Sequence, residues 1–238
     1  MREFYAKNYF LLKRLHSLLG IIPVGAFFLV HMLLNSRAGQ SPEAYQWVPD
    51  TLDQVPFIWA VEFVFIILPI LFHGILGWVI IWQGDPNSHK PPLGWYANWA
   101  YTMQRWTGGI LFFLLLWHLA TTWWAHMEVK IGNALQGTQH EFDIYGLMAS
   151  FVGNPIWLIV FGLFVLIAAY HFGNGIFNFC YKWGITSNTR AQRWAIVVGL
   201  FFGLIGVWWG FASLWGLRFA PWAAEYLATI RSFLLAGH

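Results

Sequence analysis

Five long apolar runs, separated by shorter polar stretches, organise the chain. They fall at about 15–35, 56–82, 104–126, 155–180 and 194–217. A helix rising ~1.5 Å per residue needs about 20 mostly apolar residues to cross roughly 30 Å of hydrocarbon, and each run meets that length. The stretches between them, SRAGQSPEAYQWVPD, QGDPNSHKPPLGW, MEVKIGNALQGTQHEFD and KWGITSNTRAQR, carry the turn and polar residues. There is no internal repeat and no low-complexity run. The pattern predicts an all-α fold, an integral membrane bundle of five transmembrane helices over 1–218. The tail from Phe219 to His238 is too polar to span and is expected to form a short interfacial helix. The N-terminal MREFYAKNYFLLKR is basic but runs into a full-length span with no small-residue cleavage site, so it is expected to be retained rather than removed as a signal peptide.

Composition agrees. Of 238 residues, 58% are hydrophobic, 20% aromatic and 10% charged, where a soluble domain carries about 25% charged residues. The 17 Trp suit a chain with membrane interfaces. The net charge of +3 is scattered between apolar runs, which gives no nucleic-acid surface. Cys180 stands alone, so the chain has no disulfide framework, no Cys-rich cluster site and no CxxCH attachment. Any haem must be held without a covalent link.

Basic residues orient the spans. Arg2, Lys7, Lys13, Arg14, Lys90, Arg105, Lys182, Arg190 and Arg193 fall on one side, against Arg37, Lys130, Arg218 and Arg231 on the other. The positive-inside rule puts the N-terminus in the cytoplasm and the C-terminus outside. Most loop acids (Glu43, Asp50, Asp53, Glu128, Glu141, Asp143) lie on the outer side.

Spans one to four each hold a histidine well inside the apolar stretch: His31, His73, His118 and His171. Ionisable groups at such depth are rare and usually functional. At ~1.5 Å per residue, His31 and His118 lie ~24 and ~21 Å from the cytoplasmic edge of their helices. His73 and His171, on helices running the other way, lie ~23–25 Å from the outer edge. The four therefore form two layers, His31 with His118 toward the outside and His73 with His171 toward the inside. Two imidazoles from different helices suit a six-coordinate b-type haem in a bundle core, whose filled axial positions favour electron transfer over oxygen binding. Gly74, Gly77, Gly108, Gly109, Gly173 and Gly175 beside these positions fit either a flat macrocycle or close helix packing. Direct zinc or iron binding by the histidines is the competing metal reading, and the split into pairs without a companion Asp, Glu or Cys weighs against it.

The stretches RLHSLLGIIPVGAFFLVH (14–31), LPILFH (68–73), MQRWTGGI (103–110) with LLWH (115–118), and YHFGNGIFNF (170–179) with KWGIT (182–186) resemble the single-subunit anchor of succinate dehydrogenase, in its dihaem, five-helix form from menaquinone-using bacteria. The resemblance runs from about Glu3 to Trp209. It implies two haem b groups, with iron held by His31 and His118 in the outer haem and by His73 and His171 in the inner one. It places His16, Ser17 and Lys182 near the inner propionates, with Arg105 a further candidate for propionate or quinone contact. It implies a flavoprotein and an iron–sulfur subunit docked on the cytoplasmic face, since this chain has neither a flavin fingerprint nor cluster ligands. The location implied is the bacterial plasma membrane, with lipid around the bundle.

The expected function is that of a membrane-anchor cytochrome b, passing electrons from the iron–sulfur subunit through the haems to menaquinone near the outer surface. Inward-negative potential favours outward electron movement by ~2.3 kcal/mol per 100 mV. Glu62, the one acid inside a span, sits on the outer-haem side and is expected to exchange protons with a quinone there, against the plainer reading of a snorkelling or hydrogen-bonded carboxylate. His89, His126, His140 and His238 lie in loops or tails and receive no role. The rivals are the cytochrome b of a hydrogenase or formate dehydrogenase, a bare anchor without haem, and a haem-free proton-coupled transporter. The last would favour repeated halves and broken helices.

Overall fold

A computed structural model describes residues 2–82, 95–138 and 140–235. His89, Lys90 and His238 lie outside the described residues. The described chain is all helix: α1 Arg2–Ile21, α2 Pro23–Asn35, a 3₁₀ turn Ser36–Gly39, α3 Pro42–Asp53, α4 Ile58–Glu62, a π-helical segment Phe63–Ile67, α5 Leu68–Trp82, α6 Trp95–Thr121, α7 Trp123–Gln136, α8 Ile144–Gly153, α9 Pro155–Lys182, α10 Thr189–Arg218 and α11 Pro221–Leu235. Five stretches are long and apolar enough to cross a membrane: Lys7–Gly39, Ile58–Trp82, Asn98–Gln136, Pro155–Lys182 and Thr189–Arg218. Large apolar side chains along them face outward, Trp208 at 76% exposure and Ile159 at 63%. Lipid satisfies such surfaces, and helices close their own backbone hydrogen bonds within it.

Local chemistry sets the boundaries. Pro23 lacks an N–H and opens α2, so the first span is interrupted at Ile22. The third span breaks at Thr122, where the Thr122 N–H (3.0 Å) and Oγ1 (2.6 Å) both donate to the His118 carbonyl and the Thr121 Oγ1 donates to the Trp117 carbonyl (2.9 Å). Hydroxyls returning to the preceding turn bend a helix in this way. Ser41 caps α3 by accepting from the Ala44 N–H at 3.1 Å, and Asp143 caps α8 by accepting from Gly146 at 2.7 Å. Gly137, at φ 66°, terminates α7 in the left-handed conformation that glycine adopts without a Cβ penalty.

The chain forms two compact units. Unit 1 comprises Met1–His31, Phe57–Phe112 and Leu166–Val207. Here α1 packs on α5, and the parts of α9 and α10 in this unit meet backbone to backbone. A Cβ on Gly173 would stand 2.6 Å from the Gly199 carbonyl oxygen, and one on Gly203 3.2 Å from the Ala169 oxygen. Ala169 with Gly173, and Gly199 with Gly203, are small residues at four-residue spacing, which lets helices approach closely where no hydrophobic effect drives them together.

Unit 2 comprises Met32–Pro56, Phe113–Val165 and Trp208–His238. Its buried cluster joins Ala38, Tyr45, Tyr145, Met148, Ala149, Val152, Phe161, Leu214 and Leu217. The Tyr145 hydroxyl donates to the Gly216 carbonyl at 3.0 Å and the Tyr45 hydroxyl to Asn35 Oδ1 at 2.7 Å. The tail expected to be interfacial forms α11 and packs on α8, with Trp222 and Tyr226 against the cluster and the Tyr226 hydroxyl donating to Asp143 at 2.6 Å. Asp53 hydrogen-bonds with His126 Nε2 at 2.9 Å and ion-pairs with Lys130, tying α3 to α7.

Among the described residues, the basic groups Lys7, Lys13, Arg14, Arg105, Lys182, Arg190 and Arg193 belong to unit 1. The acids Glu43, Asp50, Asp53, Glu128, Glu141, Asp143 and Glu225 belong to unit 2, with Arg37, Lys130 and Arg218, whereas Glu62 belongs to unit 1.

Candidate intramembrane histidine site

Unit 1 draws three histidines from three helices into one cluster. His16 of α1 and His73 of α5 stack with ring centres 3.9 Å apart and planes 12° from parallel. His73 and His171 of α9 stand with ring centres 6.3 Å apart and planes at 90°. Glycine makes the room. A Cβ on Gly20 would collide with the His73 ring, one on Gly108 would lie 2.9 Å from His171 Cε1, and one on Gly77 3.2 Å from His16 Cε1.

The hydrogen bonds assign the tautomers. His73 Nδ1 lies 2.8 Å from the His16 carbonyl, and His16 Nδ1 lies 3.0 Å from the His73 carbonyl. A carbonyl only accepts, so both Nδ1 atoms carry protons and each neutral ring keeps its Nε2 lone pair. For His171, the neighbours come from α6. Thr107 Oγ1 gives its proton to the Met103 carbonyl at 2.7 Å and faces His171 Nδ1 at 3.1 Å. Gln104 Nε2 donates to the His171 carbonyl at 3.1 Å, and Asn174 Nδ2 donates to Gln104 Oε1 at 2.7 Å and to the Ala100 carbonyl at 3.1 Å.

These features fit a haem between His73 and His171. The ring-centre separation of 6.3 Å leaves space for a metal that would bond one nitrogen of each ring at about 2 Å. Metal-ligating histidines donate their second nitrogen to a carbonyl, carboxylate or similar acceptor, as His73 does here. Among the described residues, no group of three or more His, Cys, Asp or Glu side chains is arranged to enclose a metal ion directly.

The other expected site residues are placed as follows. His31, in unit 1, has Phe27 beside it at 5.1 Å between ring centres. His118, in unit 2, is flanked by Phe164 at 5.7 Å and Phe161 at 6.4 Å. Lys182, at the end of α9, is near enough for its charge to act on both His16 and His73. Ser17 follows His16 in α1, half-buried. The Arg105 guanidinium donates to the Ile80 carbonyl at 3.2 Å, to the Ile81 carbonyl and to the Tyr101 hydroxyl. It thus caps the C-terminal end of α5, where carbonyls lack helical donors and a cation is favoured. Glu62 is the last residue of α4, half-buried, and leads directly into the π segment.

The glycines divide between two jobs. Gly77 and Gly108 border the histidine cluster, whereas Gly173 packs against backbone and Gly74 against Phe112. Sequence reading passed over Gly20, Thr107 and Asn174. The available signal was polar side chains at helical spacing from a buried histidine: Thr107 follows Gln104 by three residues, and Asn174 follows His171 by three.

Five apolar spans define a multi-pass membrane protein, and three histidines from three of its helices meet in unit 1. The chain matches the succinate dehydrogenase/fumarate reductase transmembrane subunit family over residues 85–207. It is 35% identical over 199 residues to the succinate dehydrogenase cytochrome b558 subunit of Bacillus subtilis (strain 168), an alignment covering 84% of this chain and 89% of that protein. The chain belongs to this family of transmembrane subunits. No solved structure matches it.

Proposed function

We propose that the chain is the cytochrome b membrane anchor of a succinate:quinone oxidoreductase, holding two b haems and serving menaquinone. The pairing of His73 with His171 carries this reading. Two neutral imidazoles from different spans have ring centres at a separation that suits one metal, and each faces a hydrogen-bond partner on Nδ1. His73 and His171 would hold the inner haem, and His31 and His118 the outer one. A haem with both axial positions taken supplies one-electron transfer.

The chain's own residues orient the rings, through the His16 carbonyl and Thr107, and Gly20, Gly77 and Gly108 leave room for the imidazoles themselves. Lys182 with Ser17 would meet the inner propionates, since anions at a polar edge favour charge-assisted donors, and His16 would join them with its Nε2 protonated. Glu62 would hold or release the proton that an outer quinone exchanges, and the adjoining π segment supports this, because such segments recur at functional sites. The family and the relative's name support a place in a complex whose flavoprotein and iron–sulfur subunits dock on the cytoplasmic face. The gathering of basic residues in unit 1 supports a cytoplasmic N-terminus.

The test is a reduced-minus-oxidised spectrum with haem counted per chain. Two b haems are expected, one lost in His73→Ala or His171→Ala and the other in His31→Ala or His118→Ala. Protein purified with its partners and lacking haem would overturn the reading.

A further inference from the structure

We propose that Thr107 is a positioning residue for His171, and that its hydroxyl, by accepting the Nδ1 proton, aims Nε2 at the inner iron and lowers that haem's midpoint potential. The inference rests on the haem reading above and extends it to a residue that touches neither metal nor substrate.

Two side chains of α6 compete for the polar atoms of His171, and geometry separates their roles. Gln104 Nε2 lies 3.2 Å from Nδ1 and 3.3 Å from Nε2. A donor in the ring plane cannot be equidistant from both nitrogens without colliding with Cε1 or with the opposite Cγ–Cδ2 edge. The amide therefore sits over the face of the ring, and its directed hydrogen bond goes to the His171 carbonyl at 3.1 Å. Gln104 leaves the in-plane hydrogen bond of Nδ1 to another group. Thr107 Oγ1 is that group, at 3.1 Å, and its own proton is committed to the Met103 carbonyl at 2.7 Å. A hydroxyl whose proton is used elsewhere can only accept, so the Nδ1 proton lies on His171.

The two rings of the inner pair are thus backed by unlike acceptors. The His16 carbonyl behind His73 belongs to the main chain, and no side-chain substitution removes it. The hydroxyl behind His171 is removed by one substitution, which makes this end of the pair the tunable one. An imidazole whose Nδ1–H is hydrogen-bonded is a more basic ligand and favours oxidised iron; loss of such a partner typically weakens metal binding about 10–100-fold. Hydrogen bonding behind an axial ligand is one of the few levers a protein has on haem potential.

The experiment compares the unsubstituted chain, Thr107→Val and Thr107→Ser, each purified as full-length protein with its partners. Haem per chain, redox potentiometry and the ferric electron paramagnetic resonance of the inner haem are measured, with the inner haem identified as the one missing in His73→Ala. Thr107→Val keeps the shape of threonine without an acceptor. It is expected to raise the inner potential, change the inner resonance and speed inner-haem loss to apomyoglobin about tenfold, while the outer haem is unmoved. Thr107→Ser restores the unsubstituted values. Complete loss of the inner haem in Thr107→Val, with retention in Thr107→Ser, supports the assignment equally. An unchanged potential and resonance in Thr107→Val would overturn it, as would equal changes in valine and serine variants. Absence of haem from the unsubstituted protein would instead overturn the electron-transfer reading itself.

Discussion

His16 and His73 hold one another from two directions: their rings stack 3.9 Å apart, and each Nδ1 donates to the other's backbone carbonyl. The arrangement joins α1 to α5 at the level of the proposed inner haem. It also separates what the two side chains do, because the acceptor for His73 is main chain and survives any change at His16.

His16→Ala is therefore expected to keep two haems per chain, with the inner potential displaced, whereas His73→Ala loses one haem outright. Haem quantification with potentiometry distinguishes the two. Loss of the inner haem in His16→Ala would show that stacking, rather than the carbonyl, holds His73 in place.

Gly173 and Gly175 stand two residues apart on α9 and predict opposite outcomes. A Cβ on Gly173 would meet the Gly199 carbonyl at 2.6 Å, but one on Gly175 meets only Gln104 Nε2 at 3.8 Å, an ordinary contact. Gly173→Ala should lower stability by about 1–3 kcal/mol, the usual cost of forcing atoms into a filled space. Gly175→Ala should be close to neutral. Thermal unfolding in detergent reads both.

Arg105→Met should remove the donors that satisfy the Ile80 and Ile81 carbonyls, at a cost of about 1.5–3 kcal/mol for each charged hydrogen bond. Its haem content is expected to stay at two. A variant that is fully stable but has lost the inner haem would assign Arg105 the propionate role.

Three tyrosines of unit 2 predict alkaline behaviour. Burial, with the Tyr145 side chain nearby, pushes the Tyr45 hydroxyl well above its ordinary range. Burial pushes Tyr145 up to about 12, and burial together with Asp143 raises Tyr226. A folded-state pKa above the unfolded value of about 10 contributes stability that is complete below pH ~10 and is lost as pH rises through the folded value. The sign gives a unit that weakens between pH ~10 and ~12. In a spectroscopic titration of tyrosinate these groups should ionise late, together with unfolding. Tyr145→Phe should flatten that loss, since phenylalanine has no proton to release.

Glu62→Gln should leave both haems bound and slow quinone-linked electron transfer by about 10²-fold or more, the usual contribution of a positioned acid or base. Normal quinone reductase activity with intact haem would assign Glu62 a packing role.

The spans were readable from length and hydropathy because lipid demands about 20 apolar residues, and little else in the chain meets that demand. The histidines were readable because a group such as His73 or His171 is conspicuous in an apolar helix. The short helices were not. The stretch holding α3 contains Pro42, Pro49 and several polar residues, and it becomes helix through the Ser41 cap and the packing of Tyr45 in the unit 2 cluster. Likewise α8 depends on Asp143 and on burial of Tyr145, Met148, Ala149 and Val152, contacts that no local pattern encodes. Thr107 escaped because a threonine in an apolar helix ordinarily returns its proton to the preceding turn. Here it does so and still accepts from a neighbouring helix.

The π segment Phe63–Ile67, closed by the Leu68 N–H on the Phe63 carbonyl, holds one residue more in its turn than an α-helix would. Glu62 and His73 lie on either side of it. At ~100° per residue, that extra position swings the acid by roughly a quarter-turn relative to an uninterrupted helix, without moving the histidine. Direction along this span is thus set by chain length as well as by side-chain identity. A single-residue deletion within Phe63–Ile67 would redirect Glu62 while leaving every functional side chain in the protein chemically intact.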